Sequence, residues 1–266
     1  MSPLMVATAL MFLPCTLSSI LSLEPRIAGG INALFGEFPY MVSIHLKAVG
    51  DGFYCAGVLV SVRDVLTSAS CVLNGSGARV PEELHLLMGT PFRANNTDAI
   101  EVEVEEIWVR DVRDLAVLKL KEKVPELKPV VLNEFVQQSQ KQCILVGWGA
   151  NDSDWNVVDH LQEVYMRIRV ENCSPSVICA SGEQTSSGAC YRDLGSPLLC
   201  DGSLAGILGS NPQRCGGPVE FYSIRDKIDW IRSQTTRAGA TGSHTVTFNR
   251  FIIQCLILIS AKIYYS

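Results

Sequence analysis

The chain has 266 residues, 47% hydrophobic and 18% charged, which is enough to bury a sizeable core and excludes wholesale disorder. Its 22 basic and 27 acidic residues give a net charge of −5 with no basic run of five, which sets aside nucleic acid and polybasic membrane contacts. Ten cysteines suit an oxidising compartment, and the four histidines, His45, His85, His160 and His244, lack zinc-site spacing, so neither metal nor cofactor is expected.

The first segment, 1–22, reads as a secretory signal peptide. An apolar run, Leu4 to Leu13, leads into small and polar residues through Ser22, although the basic start is missing. Short strands follow. Met41–Leu46, Ala56–Val60, Ala116–Leu120 and Ile144–Gly147 are apolar candidates, while Glu101–Val109 and Glu163–Val170 alternate apolar and polar side chains as half-buried strands do. Asn74, Asn95 and Asn151 head glycosylation sequons in loop-like stretches, and Asn172 heads a poorer one because Cys173 follows it. The one good helical signal is Ser223–Ser233, with Ile224, Ile228 and Ile231 spaced i, i+4 and i+7.

The end segment, 235–266, couples a polar linker to an apolar run, Phe251–Ala261, and a polar finish. Eleven residues rise only about 16 Å as a helix, too short for a bilayer core of about 30 Å. Two readings stay open: a lipid-anchor signal that is exchanged, or an uncleaved tail lying on a surface. Cys15 and Cys255 lie in these end segments, so eight of the ten cysteines remain in the body, an even number compatible with four disulfides. Many short strands and one terminal helix argue for an all-β domain of barrels or sandwiches.

Several segments together resemble the trypsin- and chymotrypsin-like serine proteases. Arg26-Ile27-Ala28-Gly29-Gly30 looks like the family's activation junction, and Phe38-Pro39-Tyr40-Met41-Val42-Ser43 like its first strand. Leu66-Thr67-Ser68-Ala69-Ser70-Cys71 resembles the catalytic-histidine segment, and Arg113-Asp114-Leu115-Ala116-Val117-Leu118 the aspartate segment. Gly147-Trp148-Gly149 matches a landmark, and Ala189-Cys190-Tyr191-Arg192-Asp193-Leu194-Gly195-Ser196-Pro197 aligns with the nucleophile loop. The likeness covers 27–234, preceded by a short pro-segment, 23–26. It implies two six-stranded antiparallel β-barrels with a C-terminal helix, and the disulfides Cys55–Cys71, Cys143–Cys200, Cys173–Cys179 and Cys190–Cys215.

Peptide-bond attack in this family needs an oxygen nucleophile, an imidazole to take its proton and a carboxylate to orient the imidazole. By the resemblance only the carboxylate survives, as Asp114; Ser70 stands at the imidazole position and Leu194, with no heteroatom, at the nucleophile. Ser196 and His45 are weighed as substitutes and read instead as a loop hydroxyl and a strand side chain, because of the geometry catalysis demands; an enzyme would need a further base near Ser68, Ser70 or Ser196. The oxyanion-hole glycine is Arg192, which is less free than glycine to hold unusual backbone angles. Gly188 takes the pocket floor, Gly209-Ser210-Asn211 the substrate-pairing strand, and Val219 a second pocket glycine, where it would narrow the slot.

Asp193 stands where active relatives pair a carboxylate with the amine freed after the arginine, here Arg26 before Ile27. Whether that pair is a working switch or a relic stays open. The resemblance thus implies a secreted, catalytically degenerate protease homologue that binds a protein partner, whether a protease, its substrate or its inhibitor. The alternatives are an endopeptidase with unorthodox residues and a surface-anchored ligand module.

Overall fold

The computed structural model describes residues 29–48, 52–74, 77–93, 97–133, 142–150, 157–169, 173–184 and 186–236. The signal segment, the pro-segment, the Arg26–Ile27 junction, the sequons at Asn95, Asn151 and Asn172, and the tail beyond 236 lie outside these residues.

Strand β1 is Ile31–Asn32. The first barrel then takes β2 Met41–Leu46, β3 Phe53–Ser61 and β4 Asp64–Ser68. A small hairpin, β5 Leu73–Asn74 and β6 Gly77–Ala78, precedes β7 Leu84–Met88, β8 Ile100–Val109 and β9 Leu115–Leu120. These close in the order β2-β3-β4-β9-β8-β7. The second barrel is built from β10 Cys143–Gly147, β11 Gln162–Arg169, β12 Val177–Gly182, β13 Pro197–Cys200, β14 Ser203–Leu208 and β15 Val219–Ser223. Its order is β11-β10-β13-β14-β15-β12, closed by β11–β12 pairing, with β1 added along β11. All ladders are antiparallel, so the chain forms two six-stranded β-barrels.

Alternation along β8 shows why these residues make a barrel wall. Val102 and Val104 face in while Glu101 and Glu103 face water. The doubled Glu105-Glu106 then falls at a bulge in the β8–β9 register, which resets the phase so that Ile107 points inward. The helix differs from expectation at its start. Ser223 ends β15, Arg225–Lys227 is a 3-10 turn, and the α-helix α1 spans only Ile228–Thr235. Ile224, Ile228 and Ile231 keep their helical spacing because all three bury between the barrels, whichever backbone carries them.

Each barrel has its own apolar interior, and a third cluster joins them. That cluster takes Met41, Phe53, Leu66 and Val117 from the first barrel, Val146, Trp148, Leu199 and Ile207 from the second, and Ile228 and Ile231 from α1. All four expected disulfides form. Among the described residues no helix is long and apolar enough to cross a membrane.

Candidate functional site

Backbone bonds and one disulfide bring Ser70, Asp114 and Leu194, the residues expected at the triad positions, to the joint between the barrels. Ala69 N donates to the Asp114 carbonyl at 2.8 Å, which seats Ser70, in the 3-10 turn Ala69–Cys71, beside Asp114. Ala56 N donates to the Leu194 carbonyl at 2.8 Å, and Cys55–Cys71 ties the neighbour of Ala56 to the neighbour of Ser70. Leu194 is half-buried against the first barrel's interior.

The side chains there have other partners. Asp114 is 5% exposed, and one carboxylate oxygen accepts from the Arg110 guanidinium. Its Oδ1 has no hydrogen bond and lies 3.8 Å from the Lys227 ammonium. Lys227, itself buried, donates to the Ser223 carbonyl at 2.7 Å, the Ser176 carbonyl at 3.3 Å and Asp226 Oδ1 at 3.0 Å. Burial first, and the Asp114 charge second, push the nearby Tyr222 hydroxyl up. No histidine touches Asp114 among the described residues. His45 pairs with the Ser43 hydroxyl at 3.0 Å, His85 with Glu101 at 2.5 Å, and His160 with the Leu161 carbonyl at 3.0 Å. Ser68 accepts from Ser70 N, so its oxygen caps the turn.

Ser196 is fully buried against Gly147, and its hydroxyl has no hydrogen-bond partner. A Cβ on Gly147 would press on both Ser196 and Asp193, which is why that position carries no side chain. Ser196→Ala is expected to stabilise the fold by up to about 1 kcal/mol, measured by urea unfolding, because it removes an unsatisfied buried polar group. A loss of stability would mean that the hydroxyl has a partner.

Asp193 is fully buried. It accepts from Gly149 N at 2.9 Å and Cys190 N at 2.8 Å, and a Cβ on Gly149 would overlap its carboxylate. The Gly147-Trp148-Gly149 landmark thus lets two backbone stretches close on one acid. Burial pushes this carboxyl up to about 7, against those two hydrogen bonds.

Arg192 departs from expectation. It holds the left-handed backbone that suits glycine, φ +66°, although it is a long side chain. Strain of about 1–2 kcal/mol is retained there. Its exposed guanidinium donates to the Phe53 carbonyl at 3.4 Å. A groove of about 200 Å³ opens beside it, lined by Leu46, Gly52, Phe53, Tyr54, Arg192, Leu194 and Asn211. Arg79 stacks over the Tyr54 ring at 5.1 Å and pairs with Glu83 at 3.3 Å.

Of the remaining pocket positions, Gly188 is buried with φ +132°, facing the backbone of Gly182 and Gly216. Gly209 lies under the Tyr222 ring, and Ser210 and Asn211 are exposed. Strand alternation turns Val219 into the second barrel's interior, where it packs in one cluster with Ala189 and Phe221, and leaves Glu220 outside. Asn74 is exposed on its hairpin. No His/Cys/Asp/Glu group fit for a metal occurs among the described residues. The sequence reading missed Arg110, Lys227 and the groove residues Leu46, Phe53 and Tyr54. The spacing of Arg110 and Asp114 was the one local signal; Lys227 and the groove come from distant strands.

Comparison with known proteins agrees with this architecture. The Trypsin family model matches residues 27–231. Kallikrein 1-related peptidase b8 of Mus musculus is 25% identical over 242 residues, covering 81% of this chain and 92% of that protein. Vaa serine proteinase homolog 1 of Vipera ammodytes ammodytes is 25% identical over 236 residues, covering 78% and 86%. The solved structure of human heparin binding protein superposes with a TM-score of 0.71 at 23% identity, over 82% of this chain and all of that one, a likeness of fold. With both barrels, their joint and 205 of its residues matched by the family model (27 through 231), this chain belongs to the trypsin family of serine proteases.

Proposed function

We propose that this member of the family is a secreted, non-catalytic serine protease homologue that acts by holding a protein partner, as a regulator or cofactor of a proteolytic cascade. One observation carries the reading: Asp114 is engaged by Arg110 and Lys227 rather than by an imidazole, beside Leu194, the residue that the family resemblance sets at the nucleophile. A leucine offers no lone pair to a carbonyl carbon, and Ser70 cannot accept a proton near neutral pH. Family members stripped of their triad keep only about 10³–10⁴-fold acceleration over water.

The test compares hydrolysis of a mixed peptide library by the protein cut after Arg26 and by identically prepared Leu194→Ala protein. Equal, background-level hydrolysis is expected. Turnover by the parent chain above that of the variant would show an active peptidase and overturn the proposal.

A further inference from the structure

We infer that the groove between Tyr54 and Arg192 binds an extended segment of a partner protein through one apolar side chain and an adjacent carboxylate side chain. The inference rests on the non-catalytic reading of the same joint and adds the chemistry of what is held there.

Size comes first. At about 200 Å³ the groove is below the roughly 300–1,000 Å³ of sites for drug-sized ligands, and it suits a single large side chain. Its floor is apolar and preformed. Leu46 and Phe53 are buried, and Phe53 is braced edge-on by His45 at 5.8 Å and by Trp148 at 6.3 Å. Tyr54 is capped by Arg79, and Leu194 fills the remaining wall. An aromatic or branched aliphatic side chain entering here meets a surface that needs no rearrangement.

Charge comes second. Arg192 makes no ion pair among the described residues; its one hydrogen bond is the 3.4 Å contact to the Phe53 carbonyl. That contact aims the guanidinium at the groove mouth while leaving other N–H groups of the fork for a ligand. Arg79 adds a second cation on the Tyr54 wall, although Glu83 already pairs with it. No acid lines the groove. A planar, unpaired guanidinium beside an apolar slot complements a carboxylate, which it can grip with two parallel bonds. Arg192, with its strained φ of +66°, lines this slot, and strain of this kind concentrates at binding sites.

Connectivity selects the source of the carboxylate. Leu46, Phe53 and Tyr54 belong to the first barrel, whereas Arg192, Leu194 and Asn211 belong to the second. The groove therefore crosses the joint and admits a chain that passes through it. An Asp or Glu side chain next to the apolar anchor fits that path better than a chain terminus.

The probes are capped tetrapeptides, acetyl-Gly-Phe-Asp-Gly-amide and its Asn analogue, titrated into the full secreted chain by NMR or calorimetry. The Asp peptide is expected to bind at least tenfold more tightly. Arg192→Gln and Arg192→Gly should each bring the two affinities within twofold, and the glycine variant suits the backbone angle, so misfolding does not confuse the result. Three outcomes overturn the inference: equal affinity for the two peptides, selectivity that survives both Arg192 variants, and no saturable binding of the Asp peptide. A free-carboxylate peptide, acetyl-Gly-Phe, binding more tightly than the Asp peptide would overturn the assignment to an internal side chain. The hydrolysis assay fails or succeeds separately, since selectivity can vanish in an inert protein and turnover can appear with selectivity intact.

Discussion

The intact chain is expected to lose about 4 kcal/mol of stability, relative to its Asp193→Asn variant, as pH rises from 4 to 8. The cause is the Asp193 carboxyl, pushed up to about 7 by full burial, whereas the unfolded chain releases that proton near 3.8. Between these values the native state holds the proton and the unfolded state does not. The group's contribution is therefore fully present below 3.8 and is lost as pH climbs through 7, at about 1.4 kcal/mol per unit of pH. Subtracting the Asn variant removes every other titration. Glu103, held down to about 2 by hydrogen bonds from Lys121 and Lys47, acts below pH 4.5, at the lower edge of this window, and is cancelled by the subtraction. The amide keeps one acceptor for Gly149 N and Cys190 N, so the substitution adds an offset but no slope. Urea unfolding at a series of pH values reads the difference directly.

The same measurement on protein cut after Arg26 decides between switch and relic. A buried ammonium brought to Asp193 would hold its proton off and flatten the slope, because a buried charge is stable only with its partner present. We expect a flat profile in the cut chain. A slope that survives cutting would show that the new terminus stays away from Asp193, and the junction would then have no structural role.

The residues that were legible in sequence share a physical trait, and so do those that were not. β2 was bounded correctly and β8 within one residue, because one is a compact apolar run between turns and the other alternates against water. β13 and β14, Pro197–Cys200 and Ser203–Leu208, are buried almost throughout, so no wet face imposes a period of two. The assignment of Ser70, Asp114 and Leu194 rests on their flanking motifs, which are local. What surrounds them is not local, since Lys227 reaches Asp114 from the end of the chain and the groove's aromatic wall comes from β3. Arg192 is the instructive case. Its residue type argued against a left-handed backbone, yet the tertiary frame around Asp193 and Gly195 imposes one.

That frame should fail most sharply at Gly195. An alanine there is expected to cost about 4 kcal/mol or more in urea unfolding and to abolish peptide binding at the groove. Gly195 has φ +80°, and a Cβ on it would overlap the carbonyl of Ala56 and crowd the Thr67 hydroxyl. Those groups belong to β3 and β4 and are already bonded: Thr67 Oγ1 donates to the Ala56 carbonyl at 2.7 Å, and Ala56 N donates to the Leu194 carbonyl at 2.8 Å. The nucleophile loop of the second barrel is thus docked directly on the wall of the first. Left-handed strain on a non-glycine residue accounts for only about 1–2 kcal/mol. The remainder comes from prising the loop away, which leaves buried carbonyl and amide groups unpaired at about 1–3 kcal/mol each. Gly202→Ala separates the two effects, because Gly202 has φ +72° in a hairpin turn with open space around it. It should lose only the strain and keep the groove intact. Equal costs at the two glycines would mean that the loop does not clamp the barrels together, and that Leu194 and Arg192 owe their places to something other than this joint.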